Sequence, residues 1–128
     1  MLPTREEAIF ELETAGKMNP GPWVNHSFNV GIAAGNIAER IPGMDAQKAY
    51  IIGLMHDIGR RVGIVDIPTH VYEGFRYCMR KGWDEAARIC MTHSYLRMRD
   101  EFREVTRYES DYNPCRYGCL LCLCGNSG

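Results

Sequence analysis

The sequence predicts an all-α fold, a single compact domain of five or six short helices, and three observations carry that reading. Apolar residues recur at spacings of three and four, Gly and Pro punctuate the chain at intervals that suit short helices, and the alternation of a half-buried strand is nowhere sustained. At 128 residues, 45% of them hydrophobic and 24% charged, the chain is long enough to bury one core and too short for two. The division expected is a helical domain over residues 1–112 and a Cys-rich irregular tail over 113–128.

Thr4-x-x-Glu7 is a capping-box pattern, followed by an apolar stripe of Ala8, Ile9, Leu12 and Ala15, so a first helix is expected to about Lys17. Met18-Asn-Pro-Gly-Pro22 breaks it, and a proline just before Trp23 suits the first turn of a second helix reaching about Arg40, with Pro42-Gly43 beyond its end. Asp45 can cap a third helix, in which Ala49, Tyr50, Ile51, Ile52, Leu54, Met55 and Ile58 put apolar side chains on every face, as a central buried helix does. Gly63 is expected to close it. Asp66-Ile-Pro-Thr69 opens a fourth helix to about Lys81, and Gly82-Trp-Asp84 precedes a fifth with its body from Glu85 to about Met91. Residues 97–107, RMRDEFREVTR, alternate charge sign at helical spacing and read as a solvated helix.

Composition excludes several classes of function. The formal net charge is −1 and the basic residues are interleaved with acidic ones, so no nucleic-acid polymer is indicated as partner. No apolar run approaches membrane-spanning length and the first residues do not form a secretory signal, so no membrane partner is expected and a cytoplasmic location is. Six cysteines could suggest a disulfide framework, but the redox state of that compartment argues against one.

The four histidines stand out by their placement. His26 shares a helical stripe with Val30, Ala33 and Ile37, His56 is in line with Ala49 and Ile52, His70 falls near the start of the fourth helix, and His93 follows Ala86 and Cys90, so all four are expected to face inward. Asp57 follows His56 in the same apolar stretch, where an ionised carboxylate needs a cation or hydrogen-bond donors to compensate it. One inward histidine is usually a hydrogen-bonded core residue; four beside a buried aspartate suggest a metal. Imidazole and carboxylate donors without nearby cysteine suit iron or manganese at least as well as zinc, and are compatible with nickel, cobalt or magnesium.

His26, the pair His56-Asp57 thirty residues on, and the string Gly53-Leu-Met-His-Asp-Ile-Gly-Arg60 resemble the HD-domain superfamily of metal-dependent phosphohydrolases. The likeness extends to Val24-Asn-His-Ser27, to Asp45-Ala-Gln-Lys-Ala-Tyr50, to His70-Val-Tyr-Glu-Gly74 and to Thr92-His93, covering roughly residues 20 to 96. The two further histidines make it similar to the H…HD…H…H branch, which includes bacterial diadenosine tetraphosphate hydrolases and, more distantly, HD-GYP cyclic-dinucleotide phosphodiesterases. The resemblance implies one or two divalent transition metals. His26, His56 and Asp57 resemble first-metal ligands, with Asp57 bridging, and His70 and His93 resemble second-metal ligands. It implies attack of metal-activated water on a phosphomonoester or phosphodiester of a nucleotide or other small phosphorylated substrate. Asp57 and Arg60 are then the catalytic candidates, and Arg60 and Arg61, directly after the ligand pair, the substrate-binding ones.

The superfamily pattern closes on a further aspartate from a late core helix. After His93 the only aspartates are Asp100 and Asp111, the latter in the turn-like Ser110-Asp-Tyr-Asn-Pro114. Cys115, Cys119 and Cys122 match the spacing of radical iron–sulfur enzymes, a reading set aside because such a cluster needs a large surrounding barrel; a zinc site that adds Cys124 fits the spacing too. The tail reads best as a truncated or altered-frame ending in place of the helix that would carry the final aspartate. Three functions follow for test: a metal-dependent phosphohydrolase, an HD-fold signalling or ligand-binding module with impaired catalysis, and a metal-free core.

Overall fold

The computed structural model describes residues 1–63 and 67–94, with the backbone alone for residues 67 and 68. Within them lie α1 (Arg5–Met18), α2 (Trp23–Ala38), α3 (Ala46–Met55), a 3₁₀ helix (Ile58–Val62), α4 (Ile67–Arg80) and α5 (Asp84–Thr92), with no strand among the described residues. The expected all-α fold is what forms. The 97–107 helix, Asp100, Asp111 and the cysteine tail lie outside the described residues.

Helix α1 starts where the capping box predicts: the Thr4 hydroxyl accepts from Glu7 N–H at 3.1 Å, and the Glu7 carboxylate accepts from Thr4 N–H at 2.7 Å. Its buried stripe is Ala8, Glu11, Leu12 and Ala15, one helical face. Asp45 caps α3 by accepting from Lys48 N–H at 3.0 Å, and Ala49 and Ile51 to Met55 are all buried, as befits a central helix. The main core joins Leu12, Leu54, Met55, Ile58, Val71 and Cys90 from five elements, all fully enclosed.

Two expectations are corrected. The third helix does not run on to Gly63: α3 stops at Met55, and the chain turns through His56 and Asp57 into the 3₁₀ helix. The apolar residues on either side of the break, Leu54 and Met55 before it and Ile58 after it, are all fully buried, so the apolar pattern does not reveal it. The break re-aims the chain, so that His56 and Asp57 leave the end of a helix instead of two faces of one.

The second correction concerns α2, whose buried stripe is Trp23, Ser27, Gly31, Ala34, Gly35 and Ala38, not the line of His26, Val30, Ala33 and Ile37. His26 and Ala33 are exposed, and Ile37 is 49% exposed. The smallest side chains win the interface because they let two backbones meet. A Cβ placed on Gly53 would lie 2.6 Å from Gly31 Cα, so α2 crosses α3 glycine on glycine.

A second backbone contact seats the 3₁₀ helix on α4: a Cβ on Gly59 would fall 1.8 Å from the His70 carbonyl oxygen and 2.5 Å from Gly74 N. The far end of this short helix is held by Asn19, the C-cap of α1, whose side-chain amide donates to the Arg60 carbonyl at 2.6 Å and the Gly63 carbonyl at 2.9 Å. Trp23 Nε1 donates in turn to the Asn19 carbonyl at 2.9 Å. Among the described residues no helix is long and apolar enough to cross a membrane.

Candidate metal centre

Helix ends build this site. The last carbonyls of a helix lack intrahelical partners, and His56, the C-cap of α3, places Nδ1 2.6 Å from one of them, Gly53 O. His93, the C-cap of α5, repeats the device with Cys90 O, 2.9 Å from its Nδ1, which also lies 3.1 Å from Ile89 O, a carbonyl that already accepts the His93 N–H. A carbonyl oxygen only accepts, so Nδ1 carries the proton in both rings; in the neutral imidazole Nε2 then presents a lone pair. This backing is the usual support of a metal-ligating histidine.

Asp57 sits between them at φ −106° and ψ 12°, in the bridge region that active-site residues often occupy, and is 5% exposed. Its Oδ1 lies 3.1 Å from His70 Nε2 and 3.2 Å from His93 Nε2. Its Oδ2 lies 3.0 Å from Arg60 Nε and 3.7 Å from His56 Nε2. Burial pushes the carboxyl upward, but the His70 and His93 imidazoles beside Oδ1, the nearby His56 ring and the Arg60 guanidinium on Oδ2 outweigh it and hold Asp57 well below the usual carboxylate range. For His56 burial is the largest influence and prevails over the attraction of Asp57, lowering its pKa to about 4, so the ring is neutral near pH 7.

The other two imidazoles complete the arrangement. His70, four residues into α4 and 2% exposed, meets His93 with Nε2 atoms 3.2 Å apart. His26 comes from the exposed edge of α2, yet its Nε2 reaches within 3.3 Å of His56 Nε2. The structure thus brings together His26, His56 and Asp57 as one group of potential ligands and Asp57, His70 and His93 as another, with Asp57 common to both. Nothing but imidazole nitrogen and carboxylate oxygen faces inward from these residues, a donor set that suits borderline divalent transition ions. Three imidazoles and a carboxylate buried or half-buried together, two of the rings fixed by their Nδ1, fit such an ion better than they fit an apolar core.

The two arginines after the pair diverge. Arg60 stays at the site through Asp57 Oδ2, its side chain 33% exposed. Arg61 instead lies over the Tyr77 ring, 3.8 Å from guanidinium carbon to ring centroid, with NH1 3.7 Å from Glu11 Oε2 and NH2 3.4 Å from Met18 Sδ. Buried Glu11 also receives the Tyr77 hydroxyl and, at 3.0 Å, Lys81 Nζ, so this cluster ties α1 to α4. The supporting residues Asn19, Gly31, Gly53 and Gly59 carry no sequence signature of their roles as packing and hydrogen-bonding partners. The nearest signal is glycine at 53 and 59, on either side of the ligand pair.

Five α-helices among the described residues, with no strand, form a compact all-α fold consistent with an HD-like domain. More narrowly, the HDOD domain family matches residues 6–95, and the chain belongs to that family. No curated protein and no solved structure matches the chain.

Proposed function

We propose that the protein is a metal-dependent phosphohydrolase, cleaving a phosphomonoester or phosphodiester bond in a nucleotide or other small phosphorylated substrate. The observation that carries this reading is the sharing of Asp57 between two histidine pairs: one carboxylate with Oδ1 toward His70 and His93 and Oδ2 toward His56. His26, His56 and Asp57 would hold one divalent ion, and Asp57, His70 and His93 a second, in the manner of the H…HD…H…H branch. Iron, manganese, nickel, cobalt and zinc all suit these donors. Ions bound there supply charge neutralisation for phosphate oxygens and acidify water.

The chain's own residues do the rest. Asp57 balances cationic charge from a site whose burial denies it to bulk water. His56 and His93, held by backbone carbonyls, keep their lone pairs aimed inward without a reorganisation cost. Arg60, partly exposed and already beside Asp57, is the arginine we assign to substrate phosphate, by a charge-assisted fork. Arg61 is given to the Glu11–Tyr77 cluster, where it fixes the 3₁₀ helix behind Asp57.

One observation favours a second reading, a ligand-binding or signalling module without turnover. Among the described residues no fourth protein ligand joins His26, His56 and Asp57. Phosphatase and phosphodiesterase assays with added manganese separate the two readings. Hydrolysis lost in His56→Ala supports the enzyme, whereas silence over nucleotide monoesters, diesters and cyclic dinucleotides, from protein that has bound metal, rules it out in favour of the module.

A further inference from the structure

We propose that the two ligand groups are unequal: Asp57, His70 and His93 form the tight site, and His26, His56 and Asp57 a weaker, exchangeable one that Arg60 contests. This rests on the metal-dependent reading above and adds an order of loading to it. The first argument is geometric. Bonds of about 2.1 Å at tetrahedral to octahedral angles set neighbouring ligand atoms about 3.0–3.4 Å apart. The inner group meets this on all three edges, at 3.2 Å between His70 and His93 and 3.1 and 3.2 Å from them to Asp57 Oδ1. The outer group meets it between His26 and His56, at 3.3 Å, but not from His56 to Asp57 Oδ2, at 3.7 Å.

The second argument is support. His93 Nδ1 is held by two carbonyls, whereas among the described residues the one hydrogen-bonding contact of the exposed His26 ring is that with His56. A ligand free to rotate loses more entropy when it is fixed, and water competes for its lone pair. The third argument is charge. Arg60 Nε already occupies Asp57 Oδ2 at 3.0 Å, so an ion at the outer group must displace that guanidinium or share the oxygen with it, against cation–cation repulsion. The close contacts of Oδ1 are with His70 and His93, which are themselves the candidate ligands.

The test is titration of the metal-stripped full chain with Mn²⁺, followed by calorimetry and by the electron paramagnetic resonance of free Mn²⁺, in wild type, His26→Ala, His93→Ala and Arg60→Gln. The expected result is two classes of ion separated by about ten-fold or more in affinity. His26→Ala removes the weak class and spares the tight one; His93→Ala removes the tight class. Arg60→Gln tightens the weak class by about ten-fold and moves the tight class by less than about two-fold. Equal affinities, loss of the tight class in His26→Ala, or a weak class indifferent to Arg60→Gln overturns the inference while leaving metal dependence intact. No Mn²⁺ bound at millimolar concentration overturns both. If His93→Ala fails to fold by circular dichroism, the exposed His26 and partly exposed Arg60 variants decide the question.

Discussion

His56 and His93 stand edge to face across the centre, ring centroids 5.1 Å apart and planes at 81°, each the C-cap of its helix and each tied through Nδ1 to a carbonyl of its own last turn. Two helix termini thus answer one requirement twice. The orphan carbonyls at the end of α3 and α5 gain a donor, and the rings gain a fixed tautomer with Nε2 toward Asp57.

Because Asp57 belongs to both ligand groups, Asp57→Asn removes the negative charge from both at once while keeping the shape. Elemental analysis of protein purified without chelator or affinity histidines is expected to fall from stoichiometric metal to a small fraction of an equivalent. Mn²⁺ affinity is expected to drop by about 100-fold or more. Retention of a full equivalent in Asp57→Asn would contradict a bridging role for this carboxylate.

The depressed pKa of His56 fixes the direction of a pH effect in the chelator-treated protein. Unfolded, its imidazole takes up a proton as pH falls through about 6.5; folded, it resists until about 4. The unfolded state therefore binds more protons between these values, and stability is lost as pH drops from about 6.5 toward 4, by roughly 3 kcal/mol from this residue. Asp57 acts in the same direction lower down: its contribution is present above the ordinary value of 3.8 and is lost as pH falls below it. Urea unfolding at pH 7.5, 6 and 5 checks this, and a midpoint that is flat or rises on acidification would refute it.

Much of this fold is legible because its helix starts rest on local chemistry. Thr4 with Glu7, and Asp45 with its reach to Lys48, announce themselves within four residues, and the glycines at 43 and 82 take positive φ where the chain turns. His56 and Asp57 are visible as a pair, but not the helix end that aims them, since apolar residues stand on both sides of the pair, from Ile51 to Met55 and again at Ile58. The buried face of α2 is hidden for a related reason: bulky Val30 and Ile37 look like core, yet a close crossing selects Gly31, Ala34 and Ala38. His26 therefore enters from the exposed edge. The pairing of Arg61 with Glu11, fifty residues earlier in the chain, has no local signature at all.

Asn19 gives a prediction that separates hydrogen bonding from size. Its amide donates to two carbonyls of the 3₁₀ helix, at Arg60 and Gly63. Asn19→Ala leaves both without this donor and is expected to cost about 1–3 kcal/mol in urea denaturation. Asn19→Asp, closer in volume, is expected to be worse than Ala, because a carboxylate facing two carbonyl oxygens is repelled by both. If Asp is tolerated better than Ala, the amide is not what holds this helix.

The crossing of α2 and α3 offers a sharper contrast between two glycines. At Gly35 an added methyl would meet its nearest neighbours at 3.5 Å, an ordinary contact, so Gly35→Ala is expected to keep the fold and gain up to about 1 kcal/mol of helix propensity. At Gly53 the same methyl meets Gly31 Cα at 2.6 Å and Gly31 N at 2.8 Å, backbone atoms that cannot swing aside. Gly53→Ala gains the same propensity but must push the helices apart, at a gross cost of about 1–3 kcal/mol or more, so the net is expected to be destabilising. Separation also pulls His26 away from His56, since their rings meet across this seam with Nε2 atoms 3.3 Å apart. Chemical denaturation should rank the variants Gly35→Ala above wild type or level with it and Gly53→Ala below, with metal affinity at the His26 group falling only in the second. Equal stability for the two alanine variants would mean that the glycine contact does not set the distance between these helices.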